Sequence, residues 1–292
     1  MKIFISGASG LVGSNCLQHF TEQGHEVIGS YFSYPTANTV YFNTLDLQDE
    51  KNFDVLTFMP DVIVHCGALT HVDYCEDHQE ESYQKTVQST INLIALAKQC
   101  NARLVYISTD YVFDGNHGPY SEDDAVNPLS VYAEHKLTGE KLSLEASEKN
   151  LILRVTNVYG NEERNKNFVS RIVDQCIKKQ KLTLTLPQDQ YATPVNAWDI
   201  ARAMLLLLKD KHAGIFHIAS TDWMNRVELA LNILKYFPDA EFDLKAITTK
   251  EMKQPAARPL LGGLLKTKFS NHYPTFIFSN VDSFVQGLLN KA

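Results

Sequence analysis

The sequence predicts an α/β protein built on a doubly wound parallel sheet, and three observations carry that expectation. Short apolar runs recur through the first 160 residues, at Ile3-Phe4-Ile5, Val62-Ile63-Val64 and Leu151-Ile152-Leu153, as strands buried on both faces require. Stretches of helical periodicity lie between them. The first run passes at once into three glycines, Gly7, Gly10 and Gly13, and then into an amphipathic helix.

The segment from Lys2 to Phe20 reads as strand, tight turn, helix, with each glycine serving a separate physical need. Gly7 lets the chain turn sharply, Gly10 lets backbone amides approach a diphosphate, and Gly13 lets the helix pack close to the sheet. The helix N-terminus then faces the anion, which makes this a Rossmann-type dinucleotide site with Ser9, Leu11 and Val12 beside the three glycines. Leu11, Val12, Leu17 and Phe20 form the apolar face of that helix, and Gly24 stands where it should stop.

His25 to Tyr31 is the second strand, and its end is where an acid would hold the adenosine ribose of NAD. Gly29, Ser30, Tyr31, Phe32 and Ser33 occupy that region instead, so Ser30 is the expected contact and the cofactor preference leans slightly to NADP(H) over NAD(H). No Lys or Arg occurs between Lys2 and Lys51, so the usual basic clamp for a 2′-phosphate is missing as well. A further strand signal covers Val40 to Phe42, and Asp61 to His65 follows the break at Pro60. Gln79 to Gln99 is helical, with Val87, Ile91, Leu93, Ile94 and Leu96 on its buried side. Arg103 to Ile107 is a strand ending in Ser108-Thr109-Asp110-Tyr111, at the ligand edge of a parallel sheet, where the Thr109 hydroxyl can meet a substrate carbonyl.

Pro128 then breaks the chain and Ser130 caps a helix on which Tyr132 and Lys136, four apart, share one face. A phenol alone is a poor acid-base group at neutral pH, and a neighbouring ammonium favours its ionised form. Leu151 to Val155 is the next strand. Beyond Tyr159 the regular alternation loosens, so residues 1–158 are expected to bind the dinucleotide and 159–292 to form a small substrate-binding lobe. Trp198 to Leu208 and Gly214 to Ile218, within roughly 195–220, return to the main sheet as helix and strand.

Composition narrows the function. At 292 residues and 44% hydrophobic, the chain can bury a large core, and a net charge of −7 offers no electrostatic footprint for nucleic acid or an anionic membrane. No apolar run spans a bilayer, and the first strand begins without a signal-peptide pattern, so a cytoplasmic protein is expected. Five cysteines without a Cys-x-x-Cys pair read as reduced thiols. His65, Cys66, His71, Asp73, Cys75, Glu76 and His78 crowd one strand end, but their spacing matches no familiar zinc pattern, and no metal is expected.

Several of these segments carry a resemblance. The N-terminal glycine turn resembles the extended short-chain dehydrogenase/reductase superfamily. Ala68-Leu69-Thr70-His71-Val72-Asp73-Tyr74-Cys75-Glu76, Ser108-Thr109-Asp110-Tyr111-Val112-Phe113, Tyr132 with Lys136, and Asp189-Gln190-Tyr191-Ala192-Thr193-Pro194 resemble the dTDP-4-dehydrorhamnose reductase family within it. The resemblance implies an NAD(P)H-dependent reductase of a carbonyl, on the 4-keto group of a nucleotide-activated deoxysugar. It implies catalysis by Thr109, Tyr132 and Lys136, with Tyr132 and Lys136 also at the cofactor, and dinucleotide contacts from Asp46, Leu47, Gly67, Ala68 and Thr70. Val72, Asp110, Tyr111, Phe113, Asn157 and Arg258 would border the substrate, Arg258 either holding a phosphate or standing in a salt bridge. The chain departs from the family at three places. Thr86 stands where a relay asparagine is usual, Asn157 where the rhamnose-forming enzymes have Trp, and Gly262-Gly263 where polar residues are typical. Two alternatives therefore stay open: a dinucleotide-binding regulatory protein similar to the methionine adenosyltransferase regulatory subunit, and a sugar-nucleotide epimerase. A homodimer is left open too.

Overall fold

A computed structural model of the chain describes residues 1–290. Its centre is a seven-stranded, fully parallel sheet made of β1 (Lys2–Ser6), β2 (Glu26–Tyr31), β3 (Thr39–Tyr41), β4 (Val62–His65), β5 (Arg103–Thr109), β6 (Leu151–Val155) and β9 (Gly214–His217). Their spatial order is β3-β2-β1-β4-β5-β6-β9, so the strand order reverses beside β1, where a ligand crevice opens. β3 lies one residue earlier than the apolar signal, with the Phe42 amide still bonded to the Tyr31 carbonyl of β2 at 2.9 Å, and β5 runs on to Thr109.

The unbroken apolar runs follow from burial on both sides. Ile3, Ile5, Val64, Val105 and Ile107 point to one face, where they meet Phe20 of the helix Leu11–Glu22 and Met204 and Leu205 of the helix Ala197–Lys209. Phe4, Ile63 and Leu104 point to the other, against Leu93, Leu96 and Ala97 of the helix Ser89–Gln99. A strand with period two and a helix on each side has no polar face.

A separate apolar cluster, including Tyr159, Val169, Ile172, Leu229 and Ile233, lies under the later segments. There β7 (Leu182–Pro187) pairs in parallel with β11 (Phe242–Ile247), and β8 (Tyr191–Ala192) pairs antiparallel with β10 (Met224–Asn225). Among the described residues no helix is long and apolar enough to cross a membrane.

The helical stretch from Gln79 to Gln99 is continuous but not uniform. Between Gln79–Tyr83 and Ser89–Gln99 the residues Gln84–Gln88 form a π-helical turn, a wide turn that occurs often at functional sites. Thr86 lies inside it and is buried.

Candidate active site

The glycine turn between β1 and the first helix is tight on its inner side and open on its outer side. Gly7 has φ +79°, and a Cβ there would lie 2.9 Å from the Gly67 amide nitrogen, so the loops after β1 and β4 touch. A Cβ on Gly13 would sit 2.4 Å from the Gly7 carbonyl oxygen, which is how closely the helix packs on the turn. Gly10, by contrast, would meet only that same carbonyl, at 3.4 Å, leaving room before the helix N-terminus. This is a cradle that fits a diphosphate, with Ser9, Leu11 and Val12 half-buried around it. Gly67 and Ala68 are half-buried beside the turn, and Thr70 is exposed.

Ser30 enters this site differently from expectation. The residue is buried, and its carbonyl accepts the Ala8 amide at 2.7 Å, so its backbone shapes the turn. Asp46 is exposed and accepts the Gln48 amide at 3.0 Å, while Leu47 packs on the sheet face carrying Phe4.

The carboxyl end of β5, two strands from β1, holds the proton chemistry. Thr109 ends the strand, and its hydroxyl oxygen accepts the Tyr111 amide at 3.2 Å. The same hydroxyl donates to the Asp110 carboxylate at 3.4 Å and lies near the phenol of Tyr132, whose ring stands edge-on to Tyr111 with centroids 6.1 Å apart. Tyr132 comes from the helix Val131–Ala146, capped by Ser130 and tied to the helix Val72–Asp77 by Glu76, whose carboxylate accepts the Val131 amide at 2.8 Å.

Two contacts fix this helix against the sheet. Gly139 packs so close that a Cβ would lie 2.4 Å from the Tyr106 hydroxyl of β5. Glu140 takes a fork of two bonds from Arg154 of β6, at 2.9 and 2.7 Å, with both side chains buried. Through these contacts Lys136 reaches the sheet: its ammonium donates to the Ile107 carbonyl at 2.6 Å and lies 4.1 Å from the Tyr106 ring centroid.

Electrostatics correct one expectation here. Burial raises the Tyr132 phenol above its ordinary value, and the neighbouring Thr109 hydroxyl only partly opposes that. Lys136 does not offset it in this arrangement, because its ammonium is turned to Ile107 and Tyr106, and burial lowers its own pKa to about 7. Tyr132 is thus a protonated acid at neutral pH.

The substrate side separates into residues that face a recess and residues that do not. Asp110, Tyr111 and Asn157 line a recess continuing from Thr109, together with Gln190, Tyr191 and Arg226. Val72 is half-buried at the start of the helix Val72–Asp77. Phe113 cannot touch a ligand here: it is fully buried, stacked on Tyr120 at 4.3 Å and covered by the Arg154 guanidinium at 5.1 Å. Arg258 is committed to Asp73, with both terminal nitrogens 2.8 Å from the carboxylate oxygens, so the salt-bridge alternative is the one realised. Asp110 accepts the Gly263 amide at 3.1 Å and pins the Gly262-Gly263 segment over the recess. The His and Cys-rich strand end is likewise spoken for: His65 bonds Thr90 at 3.2 Å, and His78 stacks on Tyr74 at 3.7 Å.

A family model described as the RmlD substrate binding domain matches residues 1–282. The chain belongs to this family. Other proteins similar to this RmlD-family chain are of two kinds. Methionine adenosyltransferase 2 subunit beta of Bos taurus is 31% identical over 252 residues, which cover 85% of this chain and 75% of that protein. A Haloferax volcanii protein named as a probable low-salt glycan biosynthesis reductase is 31% identical over 265 residues, covering 89% and 88%. Among solved structures, a dTDP-4-dehydrorhamnose reductase of Clostridium acetobutylicum superposes with a TM-score of 0.82 at 29% identity, covering 99% of this chain and all of that one.

Two features of the site were not found from the sequence. The π turn brings the Thr86 hydroxyl within 3.4 Å of the Leu69 amide, behind the loop that carries Thr70. Arg226 reaches the recess from the start of the helix Arg226–Leu234, and its only sequence signal is a lone cation following the helix cap Asn225.

Proposed function

We propose that this chain is an NAD(P)H-dependent reductase of a carbonyl, acting on the 4-keto group of a nucleotide-activated deoxysugar. The observation that carries this reading is the placement of Thr109 at the carboxyl end of β5 with Tyr132 beside it, at the edge of the sheet that also carries the glycine turn. When bound in that crevice, the nicotinamide dinucleotide supplies the hydride that the carbonyl carbon receives. Thr109 donates its hydroxyl hydrogen to the carbonyl oxygen and polarises it. Tyr132, kept protonated by burial, gives its proton to that oxygen as negative charge develops there. The phenolate left behind regains its proton from solvent, and Lys136, on the same helix, serves at the cofactor.

The division of labour we propose along the chain has its boundary near residue 158, with residues 1–158 holding the dinucleotide and most of 159–292 covering the sugar. Of the two cofactors, NADP(H) is the favoured one, because no carboxylate ends β2 to repel a 2′-phosphate.

The test is turnover. Purified protein is offered NADPH or NADH with a panel of nucleotide 4-keto sugars, and oxidation of the cofactor is followed by absorbance. Tyr132→Phe is expected to lower kcat by about 10²- to 10⁴-fold while leaving cofactor affinity intact. Full turnover in Tyr132→Phe with a confirmed substrate overturns the mechanism. A second reading has one observation in its favour, the 31% identity to a methionine adenosyltransferase subunit beta. In that reading the pocket binds a dinucleotide and the surface a partner enzyme. Stoichiometric capture of a methionine adenosyltransferase catalytic subunit, with no turnover on any keto sugar, selects it.

A further inference from the structure

The recess beside Asp110 is lined by one cation, Arg226, which forms no ion pair there. Arg226 donates to the Asn157 side-chain oxygen at 2.6 Å, and its guanidinium lies 5.1 Å over the Phe168 ring. Among the described residues no carboxylate comes within 4.0 Å of its nitrogens. Burial works most against its charge, Tyr111 and Asp110 favour it without forming an ion pair, and the Arg171 and Arg258 guanidiniums add repulsion. The one acid lining the recess, Asp110, is occupied by the Gly263 amide, and burial pushes its carboxyl up towards the neutral form. A half-buried guanidinium without a counter-charge is costly unless a ligand brings one. That such a group persists in a chain of net charge −7 points to an anion that arrives with the substrate.

Asn157 is the device that aims it. The residue sits just after β6 with φ +42°, a left-handed conformation that asparagine tolerates better than most residues, and this turns its side-chain oxygen towards Arg226. Arg258 lacks this freedom. Its two terminal nitrogens are fastened to Asp73 and one also to the Ala256 carbonyl at 3.0 Å, so it clamps the loop after β4 to the segment before Gly262.

Building on the nucleotide-sugar reading, we propose that Arg226, oriented by Asn157, is the residue that takes the diphosphate of the substrate, and that Arg258 is a structural clamp. The planar fork of Arg226 matches two phosphate oxygens, and the Phe168 ring at its back holds the fork open to the recess. The Asn157 position, where the rhamnose-forming reductases have Trp, thereby becomes part of the anion site rather than of the sugar wall.

The experiment is a calorimetric titration of the full chain with dTDP, UDP and thymidine, on wild type, Arg226→Gln, Arg226→Lys and Arg258→Gln, with NADPH or NADH binding as the control for an intact fold. Arg226→Gln is expected to weaken binding of the preferred nucleoside diphosphate by about 10- to 100-fold, the range for a lost charged hydrogen-bond pair, while leaving the dinucleotide affinity unchanged. Arg226→Lys is expected to recover part of the loss. Arg258→Gln is expected to lower the melting temperature and to change the diphosphate affinity by no more than about twofold. Wild-type affinity in a folded Arg226→Gln, or a loss confined to Arg258→Gln, overturns the proposal and leaves the reductase reading standing. Should Arg258→Gln not fold, the two Arg226 variants decide the matter alone. A wild-type protein that binds a dinucleotide but neither dTDP nor UDP overturns the nucleotide-sugar reading and this proposal with it.

Discussion

Adding one methyl group at Gly13 should separate cofactor binding from folding. In Gly13→Ala the new Cβ would lie 2.4 Å from the Gly7 carbonyl oxygen and 2.7 Å from the Ala8 Cα, where ordinary contact begins at 3.4 Å. Both neighbours are backbone, so the helix must lift from the turn by about 1 Å. Overpacking of this kind costs about 1–3 kcal/mol, and the better helix propensity of alanine returns about 1 kcal/mol of it. The net cost of up to about 2 kcal/mol lowers the melting temperature by no more than roughly 4 °C for a chain of this size. The lifted helix no longer presents its first amides to the diphosphate, so dinucleotide affinity should fall at least about tenfold, or 1.4 kcal/mol. Gly24→Ala is the control: it has φ +77° but nothing within 4 Å, so it should cost about 1–2 kcal/mol in backbone strain and leave affinity within about twofold. The assay is a fluorescence titration with NADPH and NADH, paired with a thermal melt. A folded Gly13→Ala protein with wild-type affinity would refute the reasoning, because the close approach would then have no bearing on the cradle.

Three further outcomes are expected. Glu140→Gln leaves the buried Arg154 guanidinium without its counter-charge and should cost about 3–5 kcal/mol by denaturant unfolding; a loss under about 1 kcal/mol would show that the pair does not anchor the Tyr132 helix. His65 and His217 are buried neutral, with pKa values lowered to about 3 by burial first, then by Lys136 and Arg154 respectively. Between the ordinary 6.5 and 3 the unfolded chain binds protons at these rings that the folded chain refuses, so stability should fall as pH drops through that window, and His65→Gln should flatten the curve. Ser130→Ala removes the cap on the Ala133 amide and should cost about 0.5–2 kcal/mol in the same assay, with a matching loss of turnover only if Tyr132 shifts.

Much of this protein was determined by local sequence. The apolar runs in β1, β4, β5 and β6, the spacing of Gly7, Gly10 and Gly13, the Ser130 cap and the four-residue step from Tyr132 to Lys136 each act within one strand, turn or helix. A residue's preference for strand, turn or cap depends mainly on neighbours a few positions away, and such preferences can be read in order. The open end of β2 is equally legible, since the lack of an acid from Gly29 to Ser33 and of any Lys or Arg between Lys2 and Lys51 is read directly from the sequence.

What only the tertiary structure decided are the partnerships between distant residues. Arg258 has the chemistry of a phosphate ligand, and nothing local reveals that Asp73, 185 positions away, already holds it. Phe113 belongs to a motif that borders substrate in similar proteins, yet stacking on Tyr120 under Arg154 takes it into the core. The π turn around Thr86 is invisible to a period of 3.6 residues. Arg226 has no motif at all and becomes significant through Asn157, 69 positions earlier in the chain. The pKa values of Tyr132 and Lys136 move for the same reason: burial is a property of everything packed around a group, and four residues of helix can set their spacing but not their solvent.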